Sequence, residues 1–493
     1  MHLLQPHLHT RRAFLRRAGH LAFTGAALPT ALNLAAMGEA AAFNATDYKA
    51  LVCVFLYGGN DYANTVVPYD NANYDLYSTI RQGGVGRTAG GIALGQAAMT
   101  PTLLTPSTAL AGGLQYALNP TMTGLAGLFN AGKAAVQLNV GPLVVPLTKA
   151  QYSGADRTTY PLPPKLFSHN DQQSIWQSSS PEGSTIGWGG NLGDLALASN
   201  ANSLFTCISV TGNAVFLSGD SALSYQMSTN GAVKINSVAS NVYNSATVKS
   251  AMGQLVQQAR SHVLENEYNR VTTRAIGAEG SVSGALAAYP VANAPFNAFP
   301  ASNSLADQLK MVARLIAARS NLGAARQVFF VSIGGFDLHD NLIAQQGPLL
   351  GKVSDAMTAF YNATVALGVD SKVTAFTASD FGRTLASNGD GSDHGWGSHH
   401  LVVGGAVKGA AFYGTPPPVS VGNTSAPQDQ WHVGQGRLLP GTSVDQYAAT
   451  LGQWFGVNTA GGSNEMAGIL PNLRHFGVAA GRPDYPIDLG FMA

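Results

Sequence analysis

Three aspartates stand directly after apolar, strand-like runs of the sequence. Asp61 follows the run 50–57, Asp337 follows the run 327–333, and Asp380 follows the run 373–377. The carboxyl ends of parallel strands share one edge of a sheet, where ligands bind, so we expect these carboxylates to converge there. Like charges held close together require protons or cations to neutralise them. The pattern therefore predicts a divalent metal site.

Candidate imidazole ligands follow the same runs, and they are His339, His394, His399 and His400. The last three belong to the segment 393–400 (DHGWGSHH), which leads into the apolar run 401–405. Taken singly, an aspartate after a strand is commonly a turn or cap residue, and paired histidines before a strand can be structural. Together, carboxylates and imidazoles suit zinc, with manganese or iron as alternatives, better than calcium, which prefers oxygen ligands.

The composition describes a globular chain with a large core. Of 493 residues, 45% are hydrophobic and 11% are charged, with a net charge of +1. Because no basic face is implied, a nucleic-acid partner has no electrostatic support. The two cysteines, Cys53 and Cys207, lie in apolar strand-like runs and are interpreted as buried thiols, with one disulfide as the alternative.

The first 42 residues predict an export signal. Arg11 and Arg12 precede a moderately apolar stretch, 19–37, and small residues then offer a peptidase site just before Phe43. A membrane anchor is the weaker interpretation because the apolar stretch is short and interrupted. We therefore expect recognition by the twin-arginine export machinery, a periplasmic or secreted mature protein, and no stable membrane span in that mature form.

The mature chain, 43–493, predicts one α/β domain. Strand-like runs alternate with helical patterns over 302–320, 349–367 and 444–455, and this alternation is typical of a doubly wound, mostly parallel sheet with helices on both faces. A polar helix is predicted over 248–274. Residues from about 205 to 300 are interpreted as an insertion or cap on this domain.

Five segments, in this order along the chain, resemble the exported bacterial family of unknown function 1501. They are 58–69 (GGNDYANTVVPY), 168–177 (SHNDQQSIWQ), 334–339 (GGFDLH), 379–384 (SDFGRT) and 393–409. That family is grouped with the alkaline phosphatase and sulfatase superfamily. The resemblance implies an alkaline phosphatase-like sheet whose carboxyl edge holds two metals, where a hydroxyl attacks a phosphate or sulfate ester.

The resemblance assigns roles to the candidate metal ligands in turn. Asp61 is similar to the metal-binding aspartate after the first strand, Asp337 and His339 to the next Asp/His pair, and Asp380 to the carboxylate of an Asp-His pair. His399 or His400 is similar to the last imidazole ligand. Phe381 stands where the histidine of the Asp-His pair is expected. Either His394 substitutes for it, or only one metal binds tightly.

The resemblance places the nucleophile at the start of the helix after the second strand. Ser168 opens such a stretch, and an ordinary helix cap is its alternative interpretation. Thr65 is the second candidate. Arg383 is a candidate clamp for ester oxygens, with a salt bridge as the alternative. Asn60, Asn64 and His169 are expected to line the crevice as donors.

Two main functions compete at this point, and a third, weaker interpretation is a metal oxidoreductase, since a single iron bound by histidine and aspartate also supports redox chemistry. The first is an exported metal-dependent hydrolase of small-molecule or polysaccharide phosphate or sulfate esters. The second is a non-catalytic relative that binds cell-surface polysaccharide or a partner protein. Neither cysteine lies in a sulfatase-type Cys-x-Pro-x-Arg motif, which argues against a formylglycine sulfatase.

Overall fold

Long apolar runs form the central strands of the chain. The computed structural model describes residues 45–458 and 465–493, so the predicted export signal lies outside the described residues. The strands are β1 (Lys49–Leu56), β2 (Val66–Pro68), β3 (Tyr116–Leu118), β4 (Ala134–Gly141), β5 (Cys207–Ser209), β6 (Ser224–Ser228), β7 (Gly231–Ala232), β8 (Arg326–Ile333), β9 (Val373–Ser379), β10 (Ser398–Gly404), β11 (Ala411–Tyr413) and β12 (Thr442–Ser443).

Helices connect most of these strands. They are α1 (Asn71–Ile80), α2 (Thr123–Asn130), α3 (Lys149–Ser153), α4 (His169–Ser178), α5 (Trp188–Ala196), α6 (Asn236–Ala239), α7 (Ala246–Leu255), α8 (Val263–Ala287), α9 (Ser304–Ala317), α10 (Leu342–Ala366), α11 (Val444–Phe455) and α12 (Glu465–Ile469). No helix of the described part is both long enough and apolar enough to cross a bilayer.

One large sheet contains ten of the strands. Its order is β11-β4-β10-β9-β1-β8-β5-β6-β7, with β12 paired to β4. β1 pairs in parallel with β8 on one side and with β9 on the other, while β10 is antiparallel to both β9 and β4. The predicted α/β class and mostly parallel sheet are confirmed. β2 and β3 form a separate antiparallel pair.

The two faces of β1 belong to two different hydrophobic cores. Val52 and Val54 pack with α9 and α10, whereas Leu51 and Phe55 pack with α5 and α11. A strand buried on both faces needs apolar residues at every position, which explains the continuous run 50–56. The sheet therefore carries helices on both faces.

Three local predictions differ from the structure. Residues 205–300 contribute β5, β6 and β7 to the edge of the main sheet, so this region is not wholly a cap. The helix predicted over 248–274 is two helices, α7 and α8. The Asn269 amide of α8 donates to the carbonyls of Leu255, at the end of α7, and of Gln258, in the connection between the helices. The strand β10 starts at Ser398, three residues before the predicted run. Cys53 and Cys207 are buried free thiols, as predicted.

Candidate metal centre

Three histidines and one aspartate meet at the carboxyl edge of the central strands. His169, Asp337 and His394 offer ligand atoms that all lie within 4.8 Å of one another. His339 adjoins them, with its Nε2 atom 2.9 Å from Nε2 of His394 and 3.1 Å from a carboxylate oxygen of Asp337. These four residues are candidate metal ligands, and we call them the metal-ligand cluster.

Neighbouring elements bring these side chains together. Asp337 and His339 follow β8, His394 lies in the loop between β9 and β10, and His169 is the first residue of α4. The loop after β1 passes beside them at Gly58, which has a φ of +115°. A Cβ atom at Gly58 would lie 2.4 Å from the backbone nitrogen of Asp337, so this close approach requires glycine.

The ligand atoms of His169, His394 and Asp337 lie close enough together to share one cation. Nε2 of His169 lies 3.1 Å from Nε2 of His394 and 3.4 Å from Oδ2 of Asp337, and Nε2 of His394 lies 3.3 Å from Oδ1 of the same carboxylate. Zinc holds nitrogen and oxygen ligands at about 2.0–2.1 Å, which separates ligand atoms on a tetrahedron by about 3.3 Å. The separations of 3.1–3.4 Å among His169, His394 and Asp337 are close to that value, so these three groups could hold a metal ion.

The second ring nitrogen of each histidine faces a hydrogen-bond acceptor. Nδ1 of His394 is 2.7 Å from the carbonyl oxygen of Phe167, and Nδ1 of His169 is 2.7 Å from the Asp380 carboxylate. Nδ1 of His339 is 3.4 Å from the Asp393 carboxylate. Because a carbonyl or carboxylate oxygen accepts the hydrogen, each neutral ring presents a lone pair at Nε2. Such outer partners orient histidine ligands of metals.

The electrostatics of the rings follow from these partners. The hydrogen bond to Asp380 raises the pKa of His169, whereas burial lowers the pKa of His394. Two Nε2 lone pairs 3.1 Å apart repel each other unless a proton or a cation lies between them. The cluster is thus arranged to hold positive charge.

Asp380 is fully buried and supports His169. One of its oxygens accepts hydrogen bonds from the Gly58 backbone nitrogen at 3.1 Å and the Gln173 amide at 2.8 Å, in addition to His169. Predicted as a metal ligand, Asp380 lies behind His169 and orients that ring.

Arg383 is buried and holds Asp337. Its Nη1 donates to the Asp337 carboxylate at 2.8 Å and to the Gly58 carbonyl at 3.1 Å, and its other nitrogens donate to Ser392. Burial raises the pKa of Asp337, but the hydrogen bond and charge of Arg383 outweigh this effect, so the net shift is downward. Arg383 therefore forms the salt bridge that was the alternative to an ester clamp.

Phe381 forms the floor of the cluster. Its ring centroid lies 4.8 Å from that of His169 and 4.7 Å from that of His394. Phe381 stands where the resemblance implies the histidine of an Asp-His pair. It thus packs against two candidate ligands, His169 and His394. His394, which was the proposed substitute for the missing imidazole, lies in the cluster with its Nε2 facing Asp337.

Asp61 lies outside the metal-ligand cluster. Its carboxylate pairs with the fully buried guanidinium of Arg81 and accepts a hydrogen bond from the Ala63 backbone nitrogen at 3.0 Å. Asp61 thereby caps a short 3-10 turn after β1. The strand predicted before Asp61 is correct, but the residues after Gly58 turn the carboxylate toward Arg81.

His399 and His400 also lie outside the cluster, within β10. Nδ1 of His399 accepts a hydrogen bond from the Asn139 backbone nitrogen, and the ring of His400 packs against Trp176. Burial lowers the pKa of each imidazole to about 3, so both rings are neutral core residues. Their position inside a strand, rather than before one, separates them from the metal-ligand cluster.

The two candidate nucleophiles have different surroundings. Ser168 is half-buried beside His169, and its hydroxyl donates to the Asp171 carboxylate at 2.9 Å. Thr65 is buried, and its hydroxyl donates to the carbonyl of Asp61 at 2.7 Å. Both hydroxyls thus donate to an oxygen of the protein, Ser168 at a half-buried position next to His169 and Thr65 in the interior.

Sequence reasoning placed His169 in the crevice only as a hydrogen-bond donor. The signal that could have identified it as a ligand is its place at the start of an amphipathic helix. A side chain there points toward the same sheet edge as the strand-end carboxylates.

Comparison with known proteins places the chain in a family. No curated protein matches the chain. The model of the family described as a protein of unknown function, DUF1501, matches residues 48–467, a range that includes every member of the metal-ligand cluster. The chain therefore belongs to the DUF1501 family of unknown function.

Proposed function

We propose that this protein is an exported, metal-dependent hydrolase of phosphate or sulfate esters. The observation that carries the proposal is the convergence of three imidazole Nε2 atoms on the Asp337 carboxylate, with a hydrogen-bond acceptor behind each ring. The alkaline phosphatase-like character rests on the sequence resemblance. The expected ion is zinc, with manganese or iron as alternatives.

The cluster has one open side, which a substrate needs. The side chains of Asp337 and His339 are 45% and 44% exposed, while Phe381 is buried beneath the other rings. A divalent ion held there would polarise an ester oxygen and lower the pKa of a water or hydroxyl group beside it.

The protein's own residues provide positioning and a proton acceptor. Arg383 holds Asp337, and Asp380 holds His169, so the ligands are fixed before any ion binds. Ser168 is the proposed nucleophile, because Asp171 accepts its hydroxyl hydrogen and is placed to take that proton when Ser168 attacks.

The test combines elemental analysis with a substrate panel. We expect the purified mature protein to contain one equivalent of zinc and to cleave an aryl phosphate, a phosphodiester or an aryl sulfate. His394→Ala is expected to lose both the ion and the activity. His262→Ala, at an exposed position at the start of α8, is the matched control. Retention of ion and turnover in His394→Ala would refute the proposal.

Export is tested separately from catalysis. We expect the full-length chain to reach the periplasm or medium, and Arg11→Lys together with Arg12→Lys to retain it in the cytoplasm. Secretion of the doubly substituted chain at the wild-type level would contradict twin-arginine export.

The second candidate is a metal-holding, non-catalytic protein that binds polysaccharide or a partner protein. It is favoured by the interaction of Ser168 with Asp171 near the start of α4, which is also an ordinary way to brace a helix. Stoichiometric zinc without turnover of any ester in the panel, together with retention on a polysaccharide resin, would favour this function.

A further inference from the structure

Arg437 is a second arginine at the rim of the metal-ligand cluster. It lies on the returning arm of a tight turn, in which the Val433 nitrogen donates to the Arg437 carbonyl and the Arg437 nitrogen donates to the Gly434 carbonyl, both at 2.9 Å. The next residue, Leu438, accepts a hydrogen bond from the nitrogen of Gly397, which directly precedes β10. The backbone of Arg437 is thus fixed to the sheet.

In the part of the chain that the structure describes, the side chain of Arg437 makes a hydrogen bond to the protein only through Nε. Its Nε donates to the His394 carbonyl at 2.7 Å, and its guanidinium carbon lies 5.5 Å from the ring centroid of Phe167. Phe167 in turn accepts the Nδ1 hydrogen of His394 through its carbonyl. One metal ligand therefore connects directly to the arginine and to the aromatic ring beneath it.

The Asp393 carboxylate attracts the Arg437 guanidinium but makes no direct contact with its two terminal nitrogens. Among the described residues, none accepts a hydrogen bond from them or forms an ion pair with them, and the side chain is half-buried. Arg383 is the opposite case, because it is fully buried and all its nitrogens are engaged.

A guanidinium whose two terminal nitrogens make no hydrogen bond within the protein suits a particular ligand chemistry. A guanidinium donates two parallel hydrogen bonds to two oxygens of a phosphate or sulfate group, and a guanidinium fixed in advance loses little entropy on binding. The geometry points to Arg437 as the residue that binds the non-bridging oxygens of a tetrahedral oxyanion beside the metal-ligand cluster. This inference rests on the proposed function and names the anion-binding group of that same site.

The test measures oxyanion binding and metal content independently of turnover. We expect the zinc-loaded mature protein to bind inorganic phosphate or sulfate in a calorimetric titration. Arg437→Gln should weaken that binding by about 10–100-fold, the loss expected for hydrogen bonds to a charged group. Arg437→Lys should retain only part of the oxyanion affinity, because an ammonium cannot donate two parallel hydrogen bonds. Arg274→Gln, on the exposed part of α8, is the matched control.

Several outcomes separate this inference from the proposed function. Phosphate and sulfate affinity unchanged in Arg437→Gln would overturn it. It would also be overturned if Arg437→Gln loses zinc and saturating zinc restores full oxyanion affinity, since the arginine would then only hold His394. If the chain binds no metal, the proposed function fails. The assignment of Arg437 would still be supported if the metal-free chain binds the oxyanion and Arg437→Gln abolishes this binding.

Discussion

The Nδ1 atoms of the histidines decide which ring nitrogens are free to bind a cation. His169 is the clearest case, because its Nδ1 atom contacts a carboxylate oxygen of the wholly buried Asp380. A ligand whose second nitrogen is held by a carboxylate is more basic and less mobile than one that faces water. The hydrogen bonds at Nδ1 thus distinguish residues that would contact an ion from residues that orient those ligands.

Asp380→Ala tests the orienting role. We expect zinc affinity to fall by about 10–100-fold, because His169 loses the acceptor that fixes its ring. The measurement is a competition titration with a chromogenic chelator. Asp355→Ala, at an exposed position on α10, is the control. Unchanged zinc affinity in Asp380→Ala would show that His169 is held by other contacts.

Asp61→Ala tests the assignment of Asp61 to an ion pair. Because the substitution leaves the Arg81 guanidinium buried without its partner, we expect the free energy of unfolding in urea to fall by about 3–5 kcal/mol. The zinc content of the folded fraction should not change. Asp75→Ala breaks an exposed pair with Arg87 and should cost less than about 1 kcal/mol. Loss of zinc without loss of stability would instead make Asp61 a ligand.

At the scale of elements, the loop after β1 determines how closely the strand ends approach one another. Gly58 passes within contact distance of Asp337, and Gly59, at a φ of +81°, lies against the ring of Phe381. Since Phe381 packs under His169 and His394, the loop conformation and the cluster geometry are coupled.

Gly59→Ala should displace Phe381 and with it two ligands. The added Cβ atom would lie 2.3 Å from the Phe381 ring, so we expect zinc affinity to fall at least about 10-fold. Gly132→Ala is the matched control, since Gly132 has a φ of +71° with no neighbour within 4 Å of an added Cβ. It should cost about 1–2 kcal/mol of backbone strain and leave zinc binding intact. Equal zinc affinities in the two variants would disprove the coupling.

The start of α11 carries a buried carboxyl group, and its protonation makes stability depend on pH. Burial raises the pKa of Asp445 to about 6, above the value of about 3.9 in an unfolded chain. A raised folded-state pKa gives stability that is fully present below pH ~4 and is lost as pH rises through ~6.

Asp445→Asn should therefore remove this pH dependence. We expect the wild-type free energy of unfolding to decline between pH 4 and 6 relative to the variant, and the variant to be more stable at pH 7–8 by about 1–3 kcal/mol. Urea titrations across this range provide the measurement, with Asp488→Asn at an exposed position as control. A constant difference between wild type and Asp445→Asn at every pH would contradict the shift.

At the scale of the whole molecule, the cluster joins segments that are distant in the chain. His169 and His394 are 225 residues apart in sequence, and His169 and Asp380 are 211 apart. An ion bound there would link the loops of α4, β8 and β9 only in the folded state, and a ligand of the native state alone raises its stability.

Metal removal should therefore lower the melting temperature. At an ion concentration about 100 times the dissociation constant, binding contributes about 2.7 kcal/mol, which corresponds to a few degrees. We expect chelator dialysis to lower the melting temperature of the wild-type protein and zinc to restore it. His394→Ala should not respond to either treatment, whereas His262→Ala should respond like the wild type. A wild-type melting curve unaffected by chelator and zinc would argue against a bound ion.

The sequence by itself determined the central strands, the parallel arrangement of β1, β8 and β9, the helix 444–455 and the buried state of both thiols. Apolar periodicity records burial of a single segment, so it needs no knowledge of distant residues. Because Asp337, His339 and His394 follow strands, the sequence could predict that they lie at one edge of the sheet.

Only the tertiary structure decided which side chains face one another at that edge. It joined His169 to the cluster, directed Asp61 to Arg81, and placed Asp380 and Arg383 behind ligands. These outcomes depend on the direction in which a side chain leaves a loop, and on partners more than a hundred residues away. Local pattern carries no record of such contacts, because the free energy that selects them arises only when the folded chain brings the groups together.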